Sequence, residues 1–279
     1  MRKRIIVSSL FIPVIVGAVY FGFLHSIFLF LFVLLLSILA AKELSEINRM
    51  IFQHTGRAYR SLVLWALPGA CVICYYYAQS FLQFGTVVSA IVMALPLVCF
   101  FFFALRKPIT GKLGGSFLLY SAHYVYTALF PLIIFIMRQE KRGMFHIFLL
   151  FLLAWFNDAA AYFIGSLFGR TRGIVKYSPN KSLEGYAGAF VLTILLAAAL
   201  RGIFGVKFPL DWVQALSIGV LLAVLAPVGD LVESVLKRKA GMKDSSHLIP
   251  GLGGVLDIFD SILMSAPFYY ILLKYVFGM

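Results

Sequence analysis

Residues 144–168 read MFHIFLLFLLAWFNDAAAYFIGSLF, an apolar stretch that is long enough to cross a bilayer as a helix and carries Asn157 and Asp158. Similar apolar runs recur along the 279 residues, of which 62% are hydrophobic. The runs lack the two-residue alternation of membrane β-strands, so they predict helices. The expected fold class is therefore all-α, a polytopic integral membrane protein without a soluble domain.

The apolar runs and the breaks between them predict about nine transmembrane helices. They fall at 5–22, 24–41, 61–79, 84–105, 117–137, 144–168, 185–204, 212–229 and 259–278. Pro227 is expected to kink or end the eighth of these helices. An amino terminus in the cytoplasm places most of the 24 Lys and Arg residues on the cytoplasmic side, as the positive-inside rule requires. The formal net charge of +13 then reflects topology, and nucleic-acid binding is excluded because the sequence offers no soluble basic domain.

The acidic residues are concentrated where lipid makes them costly. Seven of the eleven Asp and Glu residues lie in two polar segments, 157–184 and 230–260, which both face the cytoplasm in this topology. A carboxylate at the bilayer centre costs about 2.5–3.5 kcal/mol on insertion scales, so such residues are rarely kept without a function. Together with neighbouring Lys, Arg, Ser and Gly residues they indicate a site for a metal ion and a phosphate.

In the second segment the acids form two helix-spaced pairs. Asp230 and Glu233 are three residues apart, as are Asp257 and Asp260, so each pair shares one helix face. Lys237 follows Glu233 by four residues, and an intrahelical ion pair is the simpler explanation of those two. Carboxylate oxygens are natural ligands of Mg²⁺, and a run of basic residues suits a triphosphate. That run comprises Lys237, Arg238, Lys239 and Lys243.

The first segment adds hydrogen-bonding groups and one well-placed cation. Asn157 and Asp158 lie one helical turn before Tyr162. Ser182 is suited equally to capping the following helix and to contacting a ligand. Lys181 lies between a Ser-Pro turn and a helix start, which is a favourable position for binding phosphate.

Both segments resemble the motifs of the phosphatidate cytidylyltransferases, also called CDP-diacylglycerol synthases. Asn-Asp-x-x-Ala-Tyr occurs at 157–162, and Ser-Pro-x-Lys-x-x-Glu-Gly occurs at 178–185. The long signature of that family is matched at Ser234, Leu236, Lys237-Arg238, Lys243-Asp244, Ser246, Ile249, Pro250, Gly253-Gly254, Val255, Asp257 and Asp260. The chain departs from the signature at Leu252, where the family usually has His, and at Ile258, where it usually has Arg.

The resemblance covers most of the chain, most specifically 155–261, and implies a function. It implies one domain over 1–279 that transfers the cytidylyl group of CTP to phosphatidic acid, with Mg²⁺ as cofactor. The implied metal ligands are Asp230, Asp257, Asp260 and Glu233. The implied catalytic residues are Lys237, Lys243 and Asp244, and the implied substrate-binding residues are Asn157, Asp158, Ser178, Lys181, Glu184, Ser234 and Arg238. The active site is expected to face the cytoplasm from the cell membrane, with the acyl chains in the bilayer and a homodimer formed through membrane helices.

Three other classes of protein are compatible with acids in membrane helices. A CTP-dependent kinase or cytidylyltransferase acting on another membrane lipid would have a similar site. An ion-coupled transporter is disfavoured, because lysines alternate with the acids and no internal repeat is visible. A membrane protein whose polar loops only pack and orient it would not concentrate its acids in two short segments.

Overall fold

The computed structural model describes residues 25–52, 127, 130–175, 177–249 and 253–279. The chain divides into two units, one formed by Tyr20–Phe135 and the other by Met1–Val19 together with Ile136–Met279. The first unit contains helix α1, His25–Phe52, which includes nearly all of the predicted span 24–41. The predicted spans 5–22, 61–79 and 84–105 lie outside the described residues, as does most of 117–137.

The helices that carry the two polar segments belong to the second unit. After α2, Phe130–Gln139, they are α3 at Gly143–Phe168, α4 at Leu183–Phe204, α5 at Trp212–Lys239 and α6 at Leu256–Ile271. A 3₁₀ turn, Gly205–Lys207, extends α4, and a π-helical turn, Leu272–Val276, extends α6. The predicted spans 144–168, 185–204, 212–229 and 259–278 thus all correspond to helices.

Four of these helical segments are long and apolar enough to cross a membrane. They are Gly143–Phe168, Leu183–Lys207, Trp212–Lys239 and Leu256–Val276. Within the described part of the chain there is no β-strand, only two isolated β-bridges. The protein is therefore a helical integral membrane protein, as the apolar runs predicted.

Helix α5 corrects the expectation that Pro227 ends a span near residue 229. The helix passes through Pro227 and continues to Lys239. A proline removes one backbone hydrogen bond, a loss that membrane helices tolerate when neighbouring helices and side chains compensate. As a result Asp230, Glu233 and Lys237 all lie on one continuous helix, with the spacing that places them on the same face.

Close contacts between helix backbones hold the second unit together. Helix α3 packs on α4, α4 on α5 and α5 on α6, while α3 also contacts α5 and α6. At Gly229 of α5 an added Cβ would lie 2.5 Å from the carbonyl oxygen of Asp260 and 2.9 Å from Cβ of Met264. Only glycine therefore permits α5 and α6 to approach so closely, and this approach places Asp230 beside the turn that carries Asp260.

We expect Gly229→Ala to lower the free energy of unfolding by about 1–3 kcal/mol, the usual cost of overpacking, because the new methyl group meets backbone rather than a flexible side chain. Thermal unfolding of the purified protein in detergent measures this.

Gly202→Ala is the matched control, since its Cβ would lie 3.6 Å from the Trp212 ring in ordinary van der Waals contact. The close packing of α5 on α6 would be contradicted if both variants unfolded at the wild-type temperature.

Candidate active site

The two polar segments meet in one cavity of about 570 Å³ in the second unit. Four helices and one loop line it: α3, the start of α4, α5, α6 and the connection between α3 and α4. Its charged lining residues are Asp158, Arg172, Lys181, Asp230, Asp257 and Asp260. Residues more than one hundred positions apart in the sequence are thereby brought together.

Lys181 forms an ion pair with Asp230 across this cavity. The ion pair joins the loop before α4 to the middle of α5, and both side chains are partly exposed. Burial lowers the pKa of Lys181, while the nearby carboxylates of Asp158 and Asp260 oppose that shift. The Lys181 Nζ also lies 5.5 Å from the centre of the Tyr186 ring. Lys181 is therefore held by α5 and α4 together.

Ser261 links two of the carboxylates. Its hydroxyl donates to Oδ2 of Asp158 at 2.9 Å and lies 3.0 Å from Oδ1 of Asp260, which also accepts the Ser261 backbone N–H at 2.5 Å. Asp260 is only 5% exposed. The hydroxyl thus joins α3 to α6 and keeps two desolvated carboxylates at a defined separation. Ser261 was not predicted as a site residue, although it directly follows the last Asp of the signature.

Two buried polar atoms of the cavity lining have no hydrogen-bond partner among the described residues. They are Oδ1 of Asn157 and the hydroxyl of Tyr186. Asn157 is fully buried and donates through Nδ2 to Oγ1 of Thr193 at 3.0 Å, so its amide oxygen is oriented by α4. A buried polar group without a partner costs about 1–3 kcal/mol, and such a cost is commonly kept where a ligand supplies the missing partner.

Lys237 lies in a buried ion-pair network rather than on the cavity wall. Its Nζ donates to Oε2 of Glu233 at 2.6 Å and to Oδ1 of Asp257. Oδ2 of Asp257 accepts three further hydrogen bonds, from the Ser245 N–H at 2.8 Å, the Ser245 hydroxyl at 2.7 Å and the Gly254 N–H at 2.8 Å. The intrahelical pair allowed by the sequence is present, and Asp257 extends it into a link between α5 and the start of α6.

Several other predicted site residues hold the loops in place. Glu184 accepts from the backbone N–H groups of Arg170 and Thr171, and Arg238 donates to backbone carbonyls of Tyr177 and Met242. The predicted site residues that do not line the cavity are Ser178, Glu184, Glu233, Ser234, Lys237, Arg238, Lys243 and Asp244. Ser234 is close to it, because its hydroxyl donates to Asp230 at 3.4 Å, whereas Lys243 is exposed.

The structure describes only one of the two positions at which the chain departs from the family signature. Leu252 lies outside the described residues. Ile258 lies in the first turn of α6, and its backbone carbonyl accepts a hydrogen bond from Nε1 of Trp155 at 3.4 Å. The side chain at 258 is aliphatic, so it brings no positive charge to this position.

The oxygen atoms of the cavity lining are suited to a divalent cation. Among the described residues no three His, Cys, Asp or Glu side chains converge into a closed metal site. Mg²⁺ does not require one, because it is usually held by one or two carboxylates, waters and substrate phosphates. The donor set here consists of oxygen atoms and includes the unpartnered Oδ1 of Asn157. Its chemistry therefore fits an open Mg²⁺ site completed by a phosphate ligand.

An integral membrane protein with a cavity of carboxylates and cations between its helices is suited to a charged substrate at the membrane surface. The chain belongs to the cytidylyltransferase family, whose family model matches residues 2–276. The resemblance seen in the sequence motifs is thereby confirmed.

Three relatives, each called phosphatidate cytidylyltransferase, illustrate the similarity. The protein of Bacillus subtilis is 39% identical over 138 residues, which cover 50% of this chain and 51% of that protein. This match thus covers about half of the length of each protein. The protein of Staphylococcus haemolyticus is 30% identical over 88% of this chain and 89% of its own length. The protein of Staphylococcus saprophyticus is 30% identical over 96% of each chain.

Substituting Lys237 distinguishes a structural role from a chemical one. We expect Lys237→Gln to lower the free energy of unfolding by about 3–5 kcal/mol, because two buried carboxylates then lose their counter-ion. The measurement is thermal unfolding in detergent, alongside turnover of folded protein. Lys239→Gln, on the same turn but exposed, should unfold as the wild type does. A Lys237→Gln protein of unchanged stability and abolished turnover would show that Lys237 acts in the chemistry instead.

Proposed function

We propose that this protein transfers the cytidylyl group of CTP to phosphatidic acid, which yields CDP-diacylglycerol and pyrophosphate. The observation that carries the proposal is the cavity in which Lys181 and four aspartates meet between membrane-spanning helices. Family membership and the names of the relatives support the same reaction. A water-soluble nucleotide and a lipid head group can meet only at such a position, between the cytoplasm and the bilayer.

The charge of the cavity supports a requirement for a cation. Its four carboxylates exceed its two basic side chains, so the lining carries two formal negative charges before any ligand enters. CTP and phosphatidate are both anions and would be repelled by this lining. One bound Mg²⁺ would neutralise these two charges and remove the repulsion, and we propose Asp230 and Asp260 as its principal ligands, with Asp158 beside them. Asp257 and Glu233 reach the same cation only after releasing Lys237.

The bond changes of the proposed reaction need little proton transfer. An oxygen of the phosphatidate phosphate forms a bond to the α-phosphorus of CTP, and the bond from that phosphorus to the bridging oxygen of the β-phosphate breaks. The lipid phosphate is already ionised at neutral pH, so no strong general base is needed. When bound, Mg²⁺ supplies charge stabilisation to the transferring phosphoryl oxygens. The protein contributes positioning and fixed charges, which together can supply much of an enzymatic rate enhancement.

Individual residues have distinct roles in this proposal. Lys181, oriented by Asp230, contacts a phosphate, and the amide oxygen of Asn157 lies on the nucleotide side of the cavity. Lys243 and Asp244, on the segment between α5 and α6, approach the phosphates from the cytoplasm. Lys237 keeps Asp257 in place. The remaining residues of the implied set, Ser178, Glu184, Ser234 and Arg238, contribute by shaping the loops and α5 around the substrates.

The topology belongs to the same proposal. The whole chain, 1–279, forms one cytidylyltransferase domain with nine transmembrane helices. Its amino terminus and its active site face the cytoplasm. The membrane that holds it is the cell membrane. Acyl chains remain in the bilayer, and two copies associate through membrane helices. The distribution of Lys and Arg along the sequence supports this orientation, because the loops that carry the site are the basic ones.

Purified protein given radiolabelled CTP, phosphatidic acid in mixed micelles and MgCl₂ should form labelled CDP-diacylglycerol, and excess EDTA should stop the reaction. Asp230→Asn should reduce turnover by roughly 100-fold or more, because a charged metal ligand and the partner of Lys181 are lost together. Formation of a phosphorylated lipid, or of no lipid product, would contradict the proposed reaction.

Asp211→Asn is the matched control for that variant. Asp211 caps the opposite end of the same helix, α5, and accepts a hydrogen bond from the Gln214 N–H at 2.8 Å. Its turnover should remain within about twofold of wild type, because asparagine caps a helix about as well as aspartate does. Equal losses of turnover in both variants would show that any damage to α5 abolishes activity and would remove the support for Asp230 as a ligand.

A further inference from the structure

The loop between α3 and α4 brings a second cation to the cavity. This loop, residues 169–182, which we call the cavity loop, contributes both Arg172 and Lys181 to the lining. Lys181 is already paired with Asp230. Arg172 is the one basic lining residue in the described part of the chain that has no carboxylate partner. Its positive charge therefore remains available to an anionic ligand.

The guanidinium of Arg172 is anchored but not saturated. Its Nε donates to the carbonyl of Gly169 at 3.4 Å, and Nη2 donates to the carbonyl of Gly165 at 3.2 Å. Both acceptors lie at the end of α3, so these contacts orient the group against the last turn of that helix. A guanidinium has five N–H groups, and these contacts leave three of them for a ligand. Its planar fork is well matched to phosphate oxygens.

Glu184 holds the part of the cavity loop that immediately precedes Arg172. Its carboxylate accepts from the Arg170 N–H at 3.2 Å, the Thr171 N–H at 3.0 Å and the Thr171 hydroxyl at 2.8 Å. The Leu183 N–H donates to the Thr171 carbonyl at 3.0 Å and closes the loop beside it. Glu184 does not itself line the cavity. Its contacts fix the backbone from which the Arg172 side chain extends.

We propose that Arg172 is a phosphate-binding residue of the cavity and that Glu184 is the positioning residue that holds the cavity loop so as to present it. The proposal deepens the proposed function and rests on it for the identity of the phosphate, which belongs either to CTP or to the lipid head group. Phosphate binding itself can be measured without any turnover. Glu184 then acts through the loop and not through direct contact with substrate.

The first experiment measures anion binding in detergent by thermal protection, with inorganic pyrophosphate and CTP as probes in the presence of MgCl₂. We expect Arg172→Gln to bind both probes about 10- to 100-fold more weakly, the usual effect of losing charge-assisted hydrogen bonds. The affinity of Arg172→Lys should fall between those of the wild type and Arg172→Gln, because lysine keeps the charge but lacks the planar fork. Arg170→Gln is the matched control, since Arg170 is exposed in the same loop and meets Glu184 only through its backbone N–H.

The outcomes of this experiment separate binding from helix capping. If Arg172→Gln lowers the melting temperature of the ligand-free protein but leaves both affinities unchanged, Arg172 only caps α3 and the proposal is overturned. It is equally overturned if the wild-type protein is not protected by either probe. If the wild-type protein makes no CDP-diacylglycerol but Arg172→Gln still loses pyrophosphate protection, the proposed function fails while the phosphate site stands.

Steady-state kinetics identify which phosphate Arg172 binds. A rise in KM confined to CTP assigns Arg172 to the nucleotide, and a rise confined to phosphatidic acid assigns it to the lipid head group. Either result supports the site. Values of KM within about twofold of wild type for both substrates, together with unchanged probe affinities, would refute it.

A double-mutant cycle tests the role of Glu184. Because Glu184 acts through Arg172, the pyrophosphate affinity of Arg172→Gln/Glu184→Gln should equal that of Arg172→Gln alone, and Glu184→Gln alone should weaken binding. If Glu184 had a purely structural role, Glu184→Gln would reduce stability equally in the wild-type and Arg172→Gln backgrounds. Its effect on pyrophosphate affinity would then not depend on Arg172. Additive losses of affinity would overturn the assignment of Glu184 as the positioning residue.

Discussion

The pairing of Lys237 with Glu233 and Asp257 is the interaction on which the rest of the site depends. Glu233 and Lys237 are buried and Asp257 is mostly buried, so each of these charges is tolerable only because the others are present. Asp257 then uses its second oxygen to accept N–H groups of Ser245 and Gly254. Lys237 and Asp257 together thus connect the last turns of α5 to the following segment and to the start of α6.

Once α5 and α6 are joined in this way, the remaining acids have little freedom. The close approach at Gly229 brings Asp230 beside Asp260, and the Ser261 hydroxyl connects that turn to Asp158 on α3. Three helices each contribute carboxylates to one cavity, and the cavity loop contributes the opposing cations. The excess of negative charge is a property of the assembled cavity, to which α3 and α5 contribute one carboxylate each and α6 contributes two. This excess is the physical reason for proposing a bound divalent cation and anionic substrates.

Sequence reasoning succeeded where the relevant physics is local. Hydropathy located the four membrane helices of the second unit, and Ser182 caps α4 by accepting the Gly185 N–H, as its position allowed. Pro227 does not end its helix, one of the two effects predicted for it, because the effect of a proline depends on neighbours that the sequence does not identify. Arg172 and Tyr186 were missed as lining residues because Arg172 lies between the two motifs of the first segment and Tyr186 directly follows the second of them. Only the path of the cavity loop and the start of α4 bring them to the cavity.

The sequence by itself determined that this protein is a helical membrane protein, which family it belongs to and which acids share a helix face, because these properties follow from apolar length, motif spacing and the helical repeat. The tertiary structure alone decided which of those residues share a cavity and which hold the scaffold. Asp230 and Glu233 lie one turn apart on α5, yet Asp230 lines the cavity and Glu233 is buried against Lys237. That difference arises from where α6 and the cavity loop pack, and long-range packing between apolar helices leaves no periodic trace in the sequence.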